Sequence, residues 1–139
     1  MNIKQIIENA EAGDIKSQSS LGAMYLQGHV VSIDYEKAFY WFSKAAEQRF
    51  SPAQNHLGAM YLEGKGVAKD FEEAFIWFSI AAEQGEPEAQ CNLGWMYIDG
   101  CGVPESLKDA AYWMNLACKQ GNEDAEELWN EYELWDFIS

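Results

Sequence analysis

The sequence predicts an all-α solenoid of three 36-residue helix-turn-helix repeats with a capping helix at each end. The first observation behind this is a six-residue block. Leu21-Gly22-Ala23-Met24-Tyr25-Leu26 returns as Leu57-Gly58-Ala59-Met60-Tyr61-Leu62, and again as Leu93-Gly94-Trp95-Met96-Tyr97-Ile98, each step 36 residues long. The second is that the rest of the unit keeps the same register: Gly28, Gly64 and Gly100; Val31, Val67 and Val103; Ala38, Ala74 and Ala110; Trp41, Trp77 and Trp113; Ala45, Ala81 and Ala117; Gln48, Gln84 and Gln120. The third is that apolar residues within a unit fall three and four apart in two blocks separated by glycine, the pattern of two amphipathic helices.

The elements follow in order. Residues 1–13 form an N-terminal half-repeat, in which Ala10 aligns with Ala46 and Gly13 with Gly85. Repeats span 14–49, 50–85 and 86–121, and residues 122–139 form the C-terminal cap. In the second repeat, helix A starts near Ser51-Pro52, with Ser as N-cap and Pro at the first helical position. It stops near Gly64, which suits a left-handed C-cap. Helix B starts at Asp70, paired with Glu73 in a capping-box arrangement, and stops at Gly85. Ala53, Leu57 and Tyr61 share one face of helix A, and Ala74, Trp77, Phe78 and Ala81 one face of helix B. Gly58 and Ala74 are expected to let neighbouring backbones approach, with Trp77 and Tyr61 filling the remaining space. A lone hairpin cannot bury such faces, so stability is expected to come from stacking. The last helix is expected over 122–137, opened by Asn122 as N-cap with Glu123 and Asp124 in its first turn, and with Leu128, Tyr132 and Trp135 on one face.

These columns resemble the Sel-one-like repeat family, a branch of the tetratricopeptide-like solenoids. The second unit carries the pattern as Ala53, Leu57, Gly58, Tyr61, Gly64, Gly66, Val67, Asp70, Ala74, Ala81, Ala82, Gln84 and Gly85. The resemblance covers about residues 10 to 125 and implies a right-handed superhelix. In function it implies scaffold or adaptor roles in which the superhelix holds other proteins. Some bacterial members of the family are immunity proteins that neutralise toxins. A cysteine-rich branch is linked to β-lactam binding and hydrolysis, but this chain lacks that branch's regularly paired cysteines. The sequence departs from the family pattern at Gly28-His29-Val30-Val31, where the second loop glycine is missing. This loop is expected to bend differently, because Val resists positive φ. Arg49 stands where Gly85 and Gly121 end their helices, and Ser106 replaces the Asp34 and Asp70 column as an equivalent N-cap.

Composition narrows the function. The 139 residues suffice for one domain with a real core, and 48% are hydrophobic. With 23 acidic and 9 basic residues the net charge is −14, which argues against nucleic acid and anionic membrane and favours a protein with a basic surface. The same charge also serves solubility. Nothing at the N-terminus reads as a signal peptide and no run is long enough to span a bilayer. Cys91, Cys101 and Cys118 are odd in number and form no CxxC, so reduced thiols in a cytoplasm are expected. Cys101 is expected to be exposed in a loop.

Columns that vary between repeats are the candidates for recognition, since packing does not dictate them. On helix A these are Ser19, Asn55 and Cys91; Ala23, Ala59 and Trp95; and Gln27, Glu63 and Asp99, four residues apart along one stripe. By analogy with tetratricopeptide solenoids the stripe lines the concave face. Trp95 reads either as a binding anchor or as packing against the C-terminal helix. The C-terminal segment holds seven acidic residues and no Lys or Arg, and Glu127, Glu131 and Trp135 join the candidate surface. His29 and His56 have no ligand set at metal spacing. No phosphate-binding loop or nucleophile-base arrangement is legible. The reading is therefore a non-enzymatic, monomeric interaction module with no cofactor or metal. Its specific form is an immunity-type protein against a cationic toxin. The alternatives are a β-lactam-acting enzyme and a structural scaffold in an envelope or secretion assembly.

Overall fold

The computed structural model describes residues 2–138. Among them are eight α-helices, a C-terminal 3-10 turn and no strand. The helices fall into two compact units, one ending at Asp70 and the other beginning at Phe71. The first unit holds α1 (Ile3–Glu11), α2 (Ile15–Gln27), α3 (Tyr35–Glu47) and α4 (Ser51–Glu63). The second holds α5 (Phe71–Glu83), α6 (Pro87–Asp99), α7 (Leu107–Lys119), α8 (Glu123–Glu131) and the 3-10 turn Leu134–Phe137. Within each unit every helix packs mainly on its neighbours in the chain, the nearest-neighbour contact order of a repeat solenoid.

The alanine columns are the floor of the packing: Ala38, Ala74, Ala110, Ala45, Ala81 and Ala117 are all fully buried, as are Leu21, Leu57 and Leu93 within a few per cent. Phe42, Phe78 and Met114 fill the space between helices, while the adjacent tryptophans are only half-buried. The helix-A glycine makes room for that filler rather than for backbone. A Cβ on Gly22 would stand 2.9 Å from the Phe42 ring, and one on Gly94 2.9 Å from Met114. His56 stacks on Phe42 with ring centroids 4.6 Å apart.

Helix ends follow the expected chemistry with two corrections. Asp34, Ser106 and Asn122 each accept a backbone N–H three residues on, at 3.1, 3.1 and 2.9 Å. Ser51, however, is the first residue of α4 and Phe50 takes the N-cap position, with Pro52 in the first turn. Gly28, Gly64 and Gly100 close the A helices in the left-handed region. Arg49 takes the same left-handed backbone as its aligned Gly85 and Gly121, at φ +68°.

The second correction is the first loop. Val30 does not bend the chain differently; its φ of +70° matches the +74° of Gly66 and Gly102. Glycine is required at the later positions for a reason beyond φ. A Cβ on Gly66 would collide with the carbonyl of Tyr35, and one on Gly102 would lie 2.8 Å from the carbonyl oxygen of Phe71. Tyr35 and Phe71 open α3 and α5. Helix α1 begins at the register of Phe39, one turn further in, and Val30 is 76% exposed.

Candidate functional site

In the first unit the helix-A stripe runs from buried to open. Ser19 and Ala23 are half-buried and Gln27 is exposed on α2; on α4, Asn55 is buried, Ala59 half-buried and Glu63 exposed. Glu63 pairs with Lys65 at 2.9 Å. In the second unit Cys91 is buried, Trp95 is 36% exposed and Asp99 is exposed. Spacing of four does put these residues on one face, but that face turns inward at the N-terminal end of each helix. The accessible part of the candidate stripe is thus Ala23, Gln27, Ala59 and Glu63 in one unit and Trp95 and Asp99 in the other. Cys91 instead lies beside Glu88, Asn92, Asn122 and Asp124, around a recess of about 290 Å³ at the start of α8.

The C-terminal segment is not one helix to 137. Helix α8 ends at Glu131, Glu133 adopts φ +49°, and the chain turns back onto α7. The expected face of Leu128, Tyr132 and Trp135 is therefore broken. Leu134 becomes the buried residue, fully enclosed with Ile98, Ala111 and Met114, while Tyr132 and Trp135 are exposed. Glu127 and Glu131 are exposed on α8.

Cys101 is also corrected: it is buried, and its backbone N–H donates to the carbonyl of Met96 at 2.9 Å, holding the loop against the end of α6. Burial, followed by the charges of Asp124, Cys118 and Glu88, pushes the Cys91 thiol from 9.0 up to about 11, and burial also raises Cys118. Such thiols stay protonated near neutral pH and are poor nucleophiles. Asp14 is held below the usual carboxylate range because it accepts from the hydroxyl and backbone N–H of Ser17, at 2.6 and 2.9 Å. It caps α2 beside an open groove of about 880 Å³ between α1 and α2. No group of three or more His, Cys, Asp or Glu side chains among the described residues could hold a metal, and no helix there is long and apolar enough to cross a membrane.

Two features escaped the sequence reading. One is a buried glutamine column, Gln18, Gln54 and Gln90, whose side-chain amides donate to the last-turn carbonyls of Ala10, Ala46 and Ala82 at 3.0–3.2 Å. Gln48 and Gln120 donate to Gln18 and Gln90 in turn, at 2.7 and 2.9 Å. The 36-residue spacing was the signal for this column, and its role is to satisfy orphan helix-end carbonyls. The other is the partition of charge. Up to Asp70 the chain has eight acidic and seven basic residues, a net charge of −1; from Phe71 on it has fifteen acidic and two basic, Lys108 and Lys119, a net charge of −13. The first unit's cations are partly engaged over aromatic rings, as Lys37 over Tyr25, Lys44 over Tyr40 and Lys65 over Tyr35.

Comparison with known proteins gives the repeats a family. The model of the Sel1 repeat matches at residues 15–50, 51–86 and 87–122. Among solved structures, a protective antigen present in uropathogenic Escherichia coli strains and displaying an SLR fold is 41% identical over 90% of this chain, with a TM-score of 0.86; this chain spans only 27% of that protein. A Sel1 repeat protein from Oxalobacter formigenes is 36% identical, with a TM-score of 0.81, over 93% of this chain and 97% of that one. Helicobacter pylori cysteine-rich protein B is 27% identical, with a TM-score of 0.71, over 90% of this chain and 95% of that one. No curated protein matches the chain.

Proposed function

Because the chain belongs to the Sel1 repeat family, whose members commonly mediate protein–protein interaction, we propose that it is a non-enzymatic binding module for a protein with a basic surface. The observation that carries this reading is the net charge of −13 on the unit from Phe71 onward, which also presents Trp95, half-exposed, and Asp99 on one helix face. A field of one sign steers an oppositely charged partner and speeds association, and an aromatic at the centre of the contact supplies affinity. The raised thiol of Cys91 and the stacked His56 support a binding role over a nucleophile-base one.

In its specific form the module is an immunity-type protein that occupies a cationic toxin, working as a monomer in the cytoplasm. The charge of −14 supports that form. The candidate partner-binding residues are Asn55, Ala59 and Glu63 in the first unit and Cys91, Trp95, Asp99, Glu127, Glu131 and Trp135 in the second. The test is affinity capture from the source organism at about 0.15 M salt, where exposed charges further apart than ~8 Å are screened. One dominant basic partner, lost on Trp95→Ala or on Glu127→Lys with Glu131→Lys, is the expected result. Recovery of acidic or neutral partners that ignore those changes would overturn the reading.

A further inference from the structure

The turn-back of the chain after α8 builds a feature that the repeat itself does not have. Leu134 anchors the segment against α7, and the residues after it form one wall of a cleft whose other wall is α7. Tyr112, Asn115, Leu116 and Lys108 line it from α7, and Phe137 and Ile138 from the tail. Its volume is about 280 Å³, just under the ~300–1,000 Å³ of small-molecule sites. Tyr112, Phe137 and Ile138 remain 54%, 40% and 45% exposed, an apolar surface left to solvent within the acidic unit. The tail approaching the cleft carries Glu131, Glu133 and Asp136, all exposed, and Lys108 is the one cation in the lining.

We propose that this cleft receives one large apolar side chain from a partner segment whose flanks carry Lys or Arg. The proposal rests on the protein-binding reading above and gives it a second contact point, distinct from the α6 stripe. Tyr112, Leu116, Phe137 and Ile138, the apolar part of the lining, select the anchor. Charge complementarity selects the flanks: the surrounding unit has a net charge of −13, so an acidic segment is repelled and a neutral one gains nothing. Lys108 disfavours a cation directly over the cleft, so the partner's cations meet the carboxylates of Glu131, Glu133 and Asp136 instead.

The test uses the full chain and a fluorescein-labelled 13-residue peptide with a central Leu flanked on each side by three Lys interspersed with Gly, read by anisotropy at about 0.15 M salt. Phe137→Ser and Ile138→Ser remove exposed apolar surface and leave the buried Leu134 in place, and an unchanged melting curve confirms that each variant is folded. Burial of a Leu side chain predicts about tenfold to a hundredfold tighter binding than a peptide with Ser at the centre. The same loss is expected in Ile138→Ser, and no change in Trp95→Ala. Equal binding of the Leu and Ser peptides, or equal binding to Ile138→Ser, reduces the interaction to bulk charge and overturns the cleft, as does failure of the peptide to bind. Loss in Trp95→Ala alone overturns the cleft while leaving the protein-binding reading intact. A concentration-dependent dimer abolished by Ile138→Ser would assign the cleft to a second copy and likewise overturn the proposal.

Discussion

Val30→Gly and Gly66→Ala alter the same loop position in successive repeats and are expected to move stability in opposite directions. Val30 holds φ +70°, a conformation that costs a residue with a Cβ roughly 1–2 kcal/mol. Glycine removes that strain but frees the unfolded chain, which costs about 0.5–1 kcal/mol. The net expectation is a gain of about 1 kcal/mol. No packing is lost, because the Val30 side chain is largely in solvent. At Gly66 the same left-handed backbone is combined with the Tyr35 carbonyl, which cannot rotate away without opening the first turn of α3. Strain of about 1–2 kcal/mol and overpacking of about 1–3 kcal/mol add to a loss of roughly 3 kcal/mol. Urea unfolding followed by circular dichroism reads both. With a slope of about 2 kcal/mol/M, the midpoints should shift by about +0.5 M for Val30→Gly and −1.5 M for Gly66→Ala. A Val30→Gly variant less stable than the parent, or a Gly66→Ala variant as stable, would refute the account of this column.

The helix-end column gives a milder version. Arg49→Gly should stabilise by about 1 kcal/mol and Gly85→Ala destabilise by about 1 kcal/mol, since a Cβ at Gly85 meets nothing within 4 Å and only φ is at stake; thermal unfolding checks both. Gln90→Leu removes the donor to the Ala82 carbonyl and the acceptor for Gln120, and should cost about 1–3 kcal/mol in urea unfolding. Leu134→Ala should cost about 2–5 kcal/mol and release the tail, seen as faster amide exchange over 132–138. With its thiol near 11, Cys91 should be about 0.1% thiolate at pH 8 and react with a disulfide reagent more than tenfold slower than a free thiol, with the rate climbing toward pH 11. The raised value also fixes the sign of linkage. The unfolded thiol gives up its proton first, so the contribution of Cys91 to stability is complete below its ordinary 9.0 and lost as pH rises toward 11.

Much of the fold was legible because the repeat states it three times. The alanine and leucine columns are core in every unit, and the loop glycines, the Asp34, Ser106 and Asn122 caps and the two-helix units lie where local chemistry puts them. The candidate surface was legible only in part. Four-residue spacing places Asn55, Ala59 and Glu63, or Cys91, Trp95 and Asp99, on one side of a helix, but it cannot say how far along the helix a neighbour covers that side. Burial of Asn55 and Cys91 was therefore invisible.

What the sequence determined by itself is what depends on near neighbours in the chain: helix starts and stops, the repeat length, the small and large columns, and the total charge. The tertiary structure decided what depends on contact between distant residues. Val30 takes a glycine's backbone with its side chain 76% exposed, whereas Gly66 and Gly102 face the first residues of α3 and α5. Helix α8 stops at Glu131 because burying Leu134 against α7 outweighs two further helical turns that would have left Leu134 on a different face. Periodicity registers only the helical preference of that segment. Packing decides it, because the apolar area that Leu134 removes from water exists only once α7 is in place.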